Sequence, residues 1–288
     1  DGGMGQELLA RGMPSNSTLW SASAILDEKY HPLVLNTHID FIKAGAEIIV
    51  TTTFATRQKR LKENNLQDKF EYLNKKAGEI AVNAKKKFPH IFVAGGLPPQ
   101  NLTYESDERD EKEIIRDFKD QARALNSDVD FFYFDVWSSI KEVKCGISAI
   151  KEFEKPYLVG IHISEGTNLP SGENISDLKD VIDDKALGIM LSCVSPENFE
   201  KNLNELKSLG FPFGFKLNGF VTTKIKEGYT SVFLGKKSNP NEFLGKRKDL
   251  TQDKIALIAK KFKDAGATIL GGCCETSPSH IEAISKIK

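Results

Sequence analysis

Two adjacent cysteines, Cys273 and Cys274, follow Gly271-Gly272 and a short apolar run, Ala267-Thr268-Ile269-Leu270. Neighbouring cysteines rarely bond each other, because disulfide geometry disfavours it. Two thiols displayed at the end of a buried strand suit a soft metal such as zinc. They also suit plain packing, since free cysteine behaves as a small apolar residue. The glycines tilt the reading toward metal, because they let the backbone come close to a ligand and free the strand end sterically.

The elements that must position these thiols alternate along the chain. Short apolar or β-branched runs at 47–54, 91–96, 130–135, 157–163, 187–193, 212–218 and 267–272 read as strands. Helical patterns fall between them, at 6–11, 31–44, 58–87, 111–125, 138–153, 175–184, 196–209, 251–265 and 278–287. Asp1-Gly2-Gly3 looks like the end of a further strand, so residues before Asp1 are expected to complete it. That makes eight strand–helix units. Strict alternation implies a parallel sheet with right-handed crossovers. Eight units in this length match a closed α/β (β/α)8 TIM barrel, one domain over 1–288. An open doubly wound sheet is the alternative, but no Gly-x-Gly-x-x-Gly follows the first strand. The polar stretch at about 219–250 is too long for an idle connection and is expected to cover the site or to be mobile.

In a barrel, chemistry gathers at the C-terminal ends of the strands. The sequence puts there Asp1, Thr51 to Phe54, Gly95-Gly96, Asp135, His162, Cys193, Asn218 and Cys273-Cys274. Two strand ends thus supply three thiols, which can form a three-thiolate zinc site with an open fourth position. Cys145 lies mid-helix and reads as a packed residue.

Composition removes several functions. Lys and Arg number 40 and so do Asp and Glu, which gives no electrostatic reason to expect nucleic acid. No apolar run is long enough to span a bilayer, and no basic segment leads into an apolar one at the start. Four cysteines in 288 residues do not make a disulfide framework, so a cytoplasmic setting is expected.

Asp1-Gly2-Gly3-Met4-Gly5, Leu19-Trp20-Ser21-Ala22, Leu169-Pro170-Ser171-Gly172 and Gly271-Gly272-Cys273-Cys274-Glu275-Thr276-Ser277-Pro278 occur in an order that resembles the homocysteine S-methyltransferase family. The resemblance covers essentially the whole chain. It implies a zinc-dependent barrel that methylates homocysteine to methionine, with Cys193, Cys273 and Cys274 as zinc ligands. It places Asp1, Gly2, Thr51, Asp135 and Asn218 at the homocysteine, with the acids on its amino group, and Trp20 and Phe54 at the methyl donor. It also implies small-molecule partners only, in a monomer or small homo-oligomer. The chain departs from the family at several points. Ser192 stands where Asn usually precedes the cysteine, and Asp135-Val136 where Glu is usual, followed by Thr or Tyr. Leu217 and Phe220 replace a Pro and a Gly around Asn218.

The chemistry explains the residue types. A free thiol has a pKa of about 8.5, and its thiolate is the nucleophile. Zinc on three thiolates takes the substrate sulfur in its open position and keeps it deprotonated, with no further catalytic side chain needed. The excess negative charge favours a cationic donor, and aromatic faces such as Trp20 suit that cation. S-Methylmethionine, dimethylsulfoniopropionate, betaine and S-adenosylmethionine all fit; the betaine cage looks incomplete, because Ala55 and Val136 stand at two of its aromatic positions. The alternative is a zinc- or thiol-binding barrel of the same family that has lost methyl transfer or uses another thiol acceptor.

Overall fold

The computed structural model of the chain describes residues 1–163, 165–225 and 239–287. Seven parallel strands form one curled sheet in chain order: β1 (Ile48–Val50), β2 (Phe92–Leu97), β3 (Phe131–Trp137), β4 (Tyr157–Ile161), β5 (Ala186–Val194), β6 (Phe213–Leu217) and β7 (Ile269–Gly272). Helices α1 (Met4–Ala10), α2 (Ala22–Leu26) and α3 (His31–Lys43) precede β1; α4 (Gln58–Glu63) and α5 (Phe70–Lys87) precede β2. Then α6 (Glu111–Leu125), α7 (Ile140–Ile150), α8 (Pro196–Ser208), α9 (Gln252–Asp264) and α10 (Pro278–Ser285) complete the chain.

The expected eight strands are therefore seven among the described residues, and the eighth position is marked by Asp1. Its backbone nitrogen donates to the Ile48 carbonyl at 3.2 Å, and its carbonyl accepts from Gly272 N–H at 2.9 Å. One residue thus bridges the two edge strands, β1 and β7.

Alternation along the strands sorts the side chains. Phe132 and Phe134 of β3, Ile189 and Leu191 of β5, and Phe213, Phe215 and Leu217 of β6 pack outward in the main core. Ala94, Phe131, Tyr133, Leu158 and Met190 form a second cluster on the inner face, joined by Ile48, Val50 and Ile269. Asp135 and Lys216 follow the same parity as Tyr133 and Gly214, so they belong to the inner face at the ends of their strands.

Three expected elements come out shorter. The strand expected at 47–54 ends at Val50, because the Thr51 hydroxyl accepts from Gly96 N–H (3.0 Å) and pairs with the Thr53 hydroxyl (2.9 Å), turning the chain. The helix expected at 58–87 breaks at Asn64-Asn65, where Asn65 adopts φ 56°. The helix expected at 175–184 is a 3-10 turn, Ile175–Asp180, opened by the Asp177 carboxylate accepting from the Asn174 N–H. No helix among the described residues is long and apolar enough to cross a membrane.

Candidate active site

The strand ends and the loops that follow them enclose a cavity of about 130 Å³. One water needs only about 10–15 Å³, so the cavity has room for a small molecule. Its wall holds Asp1, Gly2, Trp20, Thr51, Phe54, Asp135, Cys193, Lys216, Cys273 and Cys274.

At one end the sulfurs of Cys193, Cys273 and Cys274 lie within 4.8 Å of one another. Around a tetrahedral zinc with Zn–S of about 2.3 Å, sulfurs sit roughly 3.8 Å apart, so small side-chain rotations close the set. The protein builds this convergence with unusual backbone. The β5–β6 register shifts between Ser192 and Val194, and Cys193 adopts φ 54°. The bulge turns Cys193 out of the outward-facing parity of β5 and into the cavity. Cys273 N–H donates to the Leu217 carbonyl at 2.7 Å, and the Cys274 carbonyl accepts from Gly219 N–H at 2.9 Å. Thr276 Oγ1 donates to the Cys273 carbonyl at 2.6 Å. Gly272 packs against the Thr276 side chain so closely that a Cβ would collide with it.

Three neighbouring thiols cannot all ionise without a compensating cation. Burial works against a thiolate at Cys193, but donation from Cys273, Cys274, Tyr104 and Asn218 outweighs it and holds Cys193 well below the ordinary thiol range. Donating to Cys193 and burial push Cys273 up to about 12. Cys274 is likewise raised, first by its contact with Cys193. The Tyr104 hydroxyl lies 3.0 Å from Cys193 Sγ. Asn218 is fully buried and donates to the Cys193 carbonyl at 2.5 Å while its own Oδ1 accepts from Phe220 N–H at 3.1 Å. It braces the ligand loop rather than lining the cavity. This is a soft, anionic donor set that fits a divalent thiophilic metal.

At the other end stand three charged groups. Asp1 Oδ2 accepts from Val50 N–H at 2.8 Å, and Asp1 Oδ1 accepts from Lys216 Nζ at 3.1 Å. Lys216 also lies 5.4 Å from the centre of the Tyr133 ring. Burial opposes its charge, but attraction to Asp135 and its other neighbours outweighs that, so it stays protonated. Burial pushes the Asp135 carboxyl up to about 6 against the pull of Lys216, and its Oδ1 is buried without a hydrogen-bond partner. The Tyr133 hydroxyl pairs with Ser192, so the residue before the cysteine serves the inner layer.

The third wall is aromatic. Trp20 adopts φ 46° and packs over Gly5, where any Cβ would strike its ring. Phe54 faces the same space, but the Arg57 guanidinium already lies 5.7 Å from its centroid. Gly2 has no room for a side chain either, since a Cβ would sit 2.8 Å from Phe41 and 3.0 Å from the Thr276 carbonyl.

A family model described as "Homocysteine S-methyltransferase" matches residues 1–287. The chain belongs to the homocysteine S-methyltransferase family. It is therefore a methyltransferase enzyme that works on small molecules. "Homocysteine S-methyltransferase 1" of Saccharomyces cerevisiae is 27% identical over 315 residues, covering 99% of this chain and 92% of that protein. The Zea mays protein of the same name is 23% identical, covering 100% and 93%. Among solved structures, the metallated form of the homocysteine methyltransferase MmuM from Escherichia coli aligns with TM-score 0.80 at 20% identity over 99% of this chain and 94% of that one. That likeness shows the fold.

Within this family member, Asp1, Gly2, Thr51, Asp135, Trp20, Phe54 and the three cysteines meet in one cavity. His162 does not join them: it is buried, stacked on Tyr104 at 4.2 Å, and bonded to the Ser192 carbonyl at 3.2 Å. Cys145 is buried in the helix core of α7. Phe220 is buried beside Tyr104, Val136 and Cys193, while Tyr229 and Phe233 of the 219–250 loop lie outside the described residues. Sequence reasoning missed Lys216 and Tyr104. The signal for Lys216 was the pattern Phe213-Gly214-Phe215-Lys216-Leu217, whose apolar parity forces the lysine inward. Seven described non-glycine residues have positive φ, and four of them, Trp20, Tyr104, Val136 and Cys193, line this cavity. Such conformations cost about 1–3 kcal/mol each and persist where the surroundings over-determine them.

Proposed function

We propose that this chain transfers a methyl group from an onium donor to the thiol of homocysteine, giving methionine. The convergence of three thiols on one cavity that also carries a charged end and an aromatic wall is the observation that carries the reading. Zinc held by Cys193, Cys273 and Cys274 would keep the acceptor thiol deprotonated at neutral pH. A metallated form is named for the Escherichia coli homocysteine methyltransferase of the same fold, which is in keeping with a metal here. The charged end orients the acceptor's amino-acid group, and the cavity aligns its sulfur with the donor methyl. The acceptor sulfur forms the new carbon–sulfur bond as the donor's onium–methyl bond breaks, so the donor leaves neutral and no general acid is required. Trp20 offers its face to the donor cation. We read the chain as one closed (β/α)8 domain, supported by the bridging position of Asp1 between β1 and β7. The test is methionine formation from homocysteine with S-methylmethionine, dimethylsulfoniopropionate, betaine and S-adenosylmethionine, assayed side by side on zinc-loaded protein. Zinc-replete protein that methylates with none of the four overturns the reading in favour of a thiol-binding barrel.

A further inference from the structure

We propose that Lys216 reads the carboxylate of the acceptor amino acid, and that Asp1 positions this lysine. The inference rests on the reading of the cavity as an acceptor pocket and names how its charged end sorts thiols. Three observations carry it. Both oxygens of Asp1 are engaged inside the protein, one by Val50 N–H at 2.8 Å and one by Lys216 at 3.1 Å. The lysine has three donor hydrogens, its contact with Asp1 uses one, and the residue lines the cavity. Asp135 keeps Oδ1 buried without a partner in the same cavity.

The charges then select a zwitterion. Asp1 and Lys216 cancel, which leaves Asp135 to take an ammonium. Arg57 and Arg60 also line the cavity, but the remaining lysine donors are those next to Asp1 and attracted by Asp135, and they are the ones placed for a carboxylate on the carbon that bears the ammonium. A thiol lacking the ammonium would leave the Asp135 oxygen desolvated and unpaired, which is costly. A thiol lacking the carboxylate forfeits the charge-assisted hydrogen bonds of Lys216. Lys216 is in this account a specificity residue, and Asp1 its positioning residue.

The experiment is calorimetric binding to zinc-loaded protein without any methyl donor, with three ligands: L-homocysteine, 3-aminopropane-1-thiol, which lacks the carboxylate, and 4-sulfanylbutanoate, which lacks the ammonium. Wild type should favour homocysteine over 3-aminopropane-1-thiol by roughly ten- to a hundredfold, the scale of charged hydrogen bonds. Lys216→Met should bring that ratio to within about threefold, and should bind 3-aminopropane-1-thiol at least as well as wild type, because both carboxylates then face the ammonium. Zinc content and thermal melting report whether the variant folds. If Lys216→Met is unstable, Lys216→Met combined with Asp1→Asn removes both partners of the buried pair and should show the same collapse of the ratio. A preference that survives in these variants, or an equal loss for both thiols, overturns the assignment of Lys216 alone. Wild-type protein that binds none of the three overturns the acceptor-pocket reading together with it.

Discussion

The two ends of one cavity lean on irregular backbone to different degrees. The thiol end depends on irregular backbone: a bulge in β5, a left-handed Cys193, and a loop after β7 pinned by backbone hydrogen bonds to the Leu217 carbonyl and from Gly219 N–H. The charged end depends less on it: Lys216 sits on the inner parity of β6 and Asp1 bridges the sheet edges, while Asp135 borders a register shift in β3 beside Val136 at φ 68°. The loop after β7 demands special residues in a short stretch, so it leaves a local motif, the glycines and cysteines of 271–274. Regular geometry demands only the right residue at an inward position, so its one mark is the parity of the strand, as at Lys216 in β6.

The largest effect should come from breaking the thiol end. Cys193→Ala, Cys273→Ala or Cys274→Ala should each remove most bound zinc and most methyl transfer, measured by elemental analysis and by methionine formation. Cys145→Ala, in the α7 core, should leave zinc content unchanged. Full zinc in Cys193→Ala would remove the three-thiolate site and with it the contrast between the two ends.

Legibility follows the same division. The Gly-Gly-Cys-Cys run exposed two of the three converging thiols and the order of the units exposed a parallel α/β sheet, because both are written in neighbouring residues. Cys193 could be listed as a strand end, but the bulge that turns it inward has no sequence mark beyond the cysteine itself. The role expected of Asp1 needed more than its motif, since Lys216 comes 215 residues later and engages one of its oxygens. The family resemblance implies Asn218 as a substrate contact, while in the fold its amide bonds the Cys193 carbonyl and Phe220 N–H. The strand expected through Phe54 stops at Val50, because threonine hydroxyls there bond the neighbouring strand in place of the ladder.

A smaller effect should sharpen the charged end. Asp135→Asn should weaken homocysteine binding by about tenfold, the scale of one charge-assisted hydrogen bond, and leave donor use near normal. The pH dependence fixes the sign. The free carboxyl titrates at about 6, raised by burial against the pull of Lys216. An ammonium needs the ionised form, so homocysteine affinity should rise as pH increases through about 6 and level off above it. The same raised pKa means the carboxylate's charge is disfavoured by folding, so stability from this group is greatest at low pH and declines as pH passes about 6. Asp135→Asn should flatten the step in both profiles. Calorimetry from pH 5 to 8, a range centred near that titration, reads the first, and thermal melting the second. A step that persists in the variant assigns it to another group.

The smallest effects lie on the aromatic wall, where the two ends meet the donor. Trp20 packs over Gly5 and still borders the cavity, so its ring can serve as a flat wall and as a negative face. A cation over such a face gains roughly 0.5–2 kcal/mol, more when the site is dry. Trp20→Leu keeps apolar bulk and removes the face. It should raise the donor's KM several-fold while zinc content and homocysteine affinity stay near wild type. Phe54→Leu should do less, because Phe54 already has the Arg57 guanidinium near its ring, and two cations on one small aromatic compete. A neutral isostere of the best donor, with carbon at the charged centre, should distinguish wild type from Trp20→Leu poorly. The opposite pattern, a sharp fall in thermal stability with donor kinetics unchanged, would make Trp20 a packing residue of the cluster formed by Leu8, Leu19 and Ile25. The donor's charge would then be met by the negative thiol end itself, and raised salt should weaken donor binding in wild type and Trp20→Leu alike.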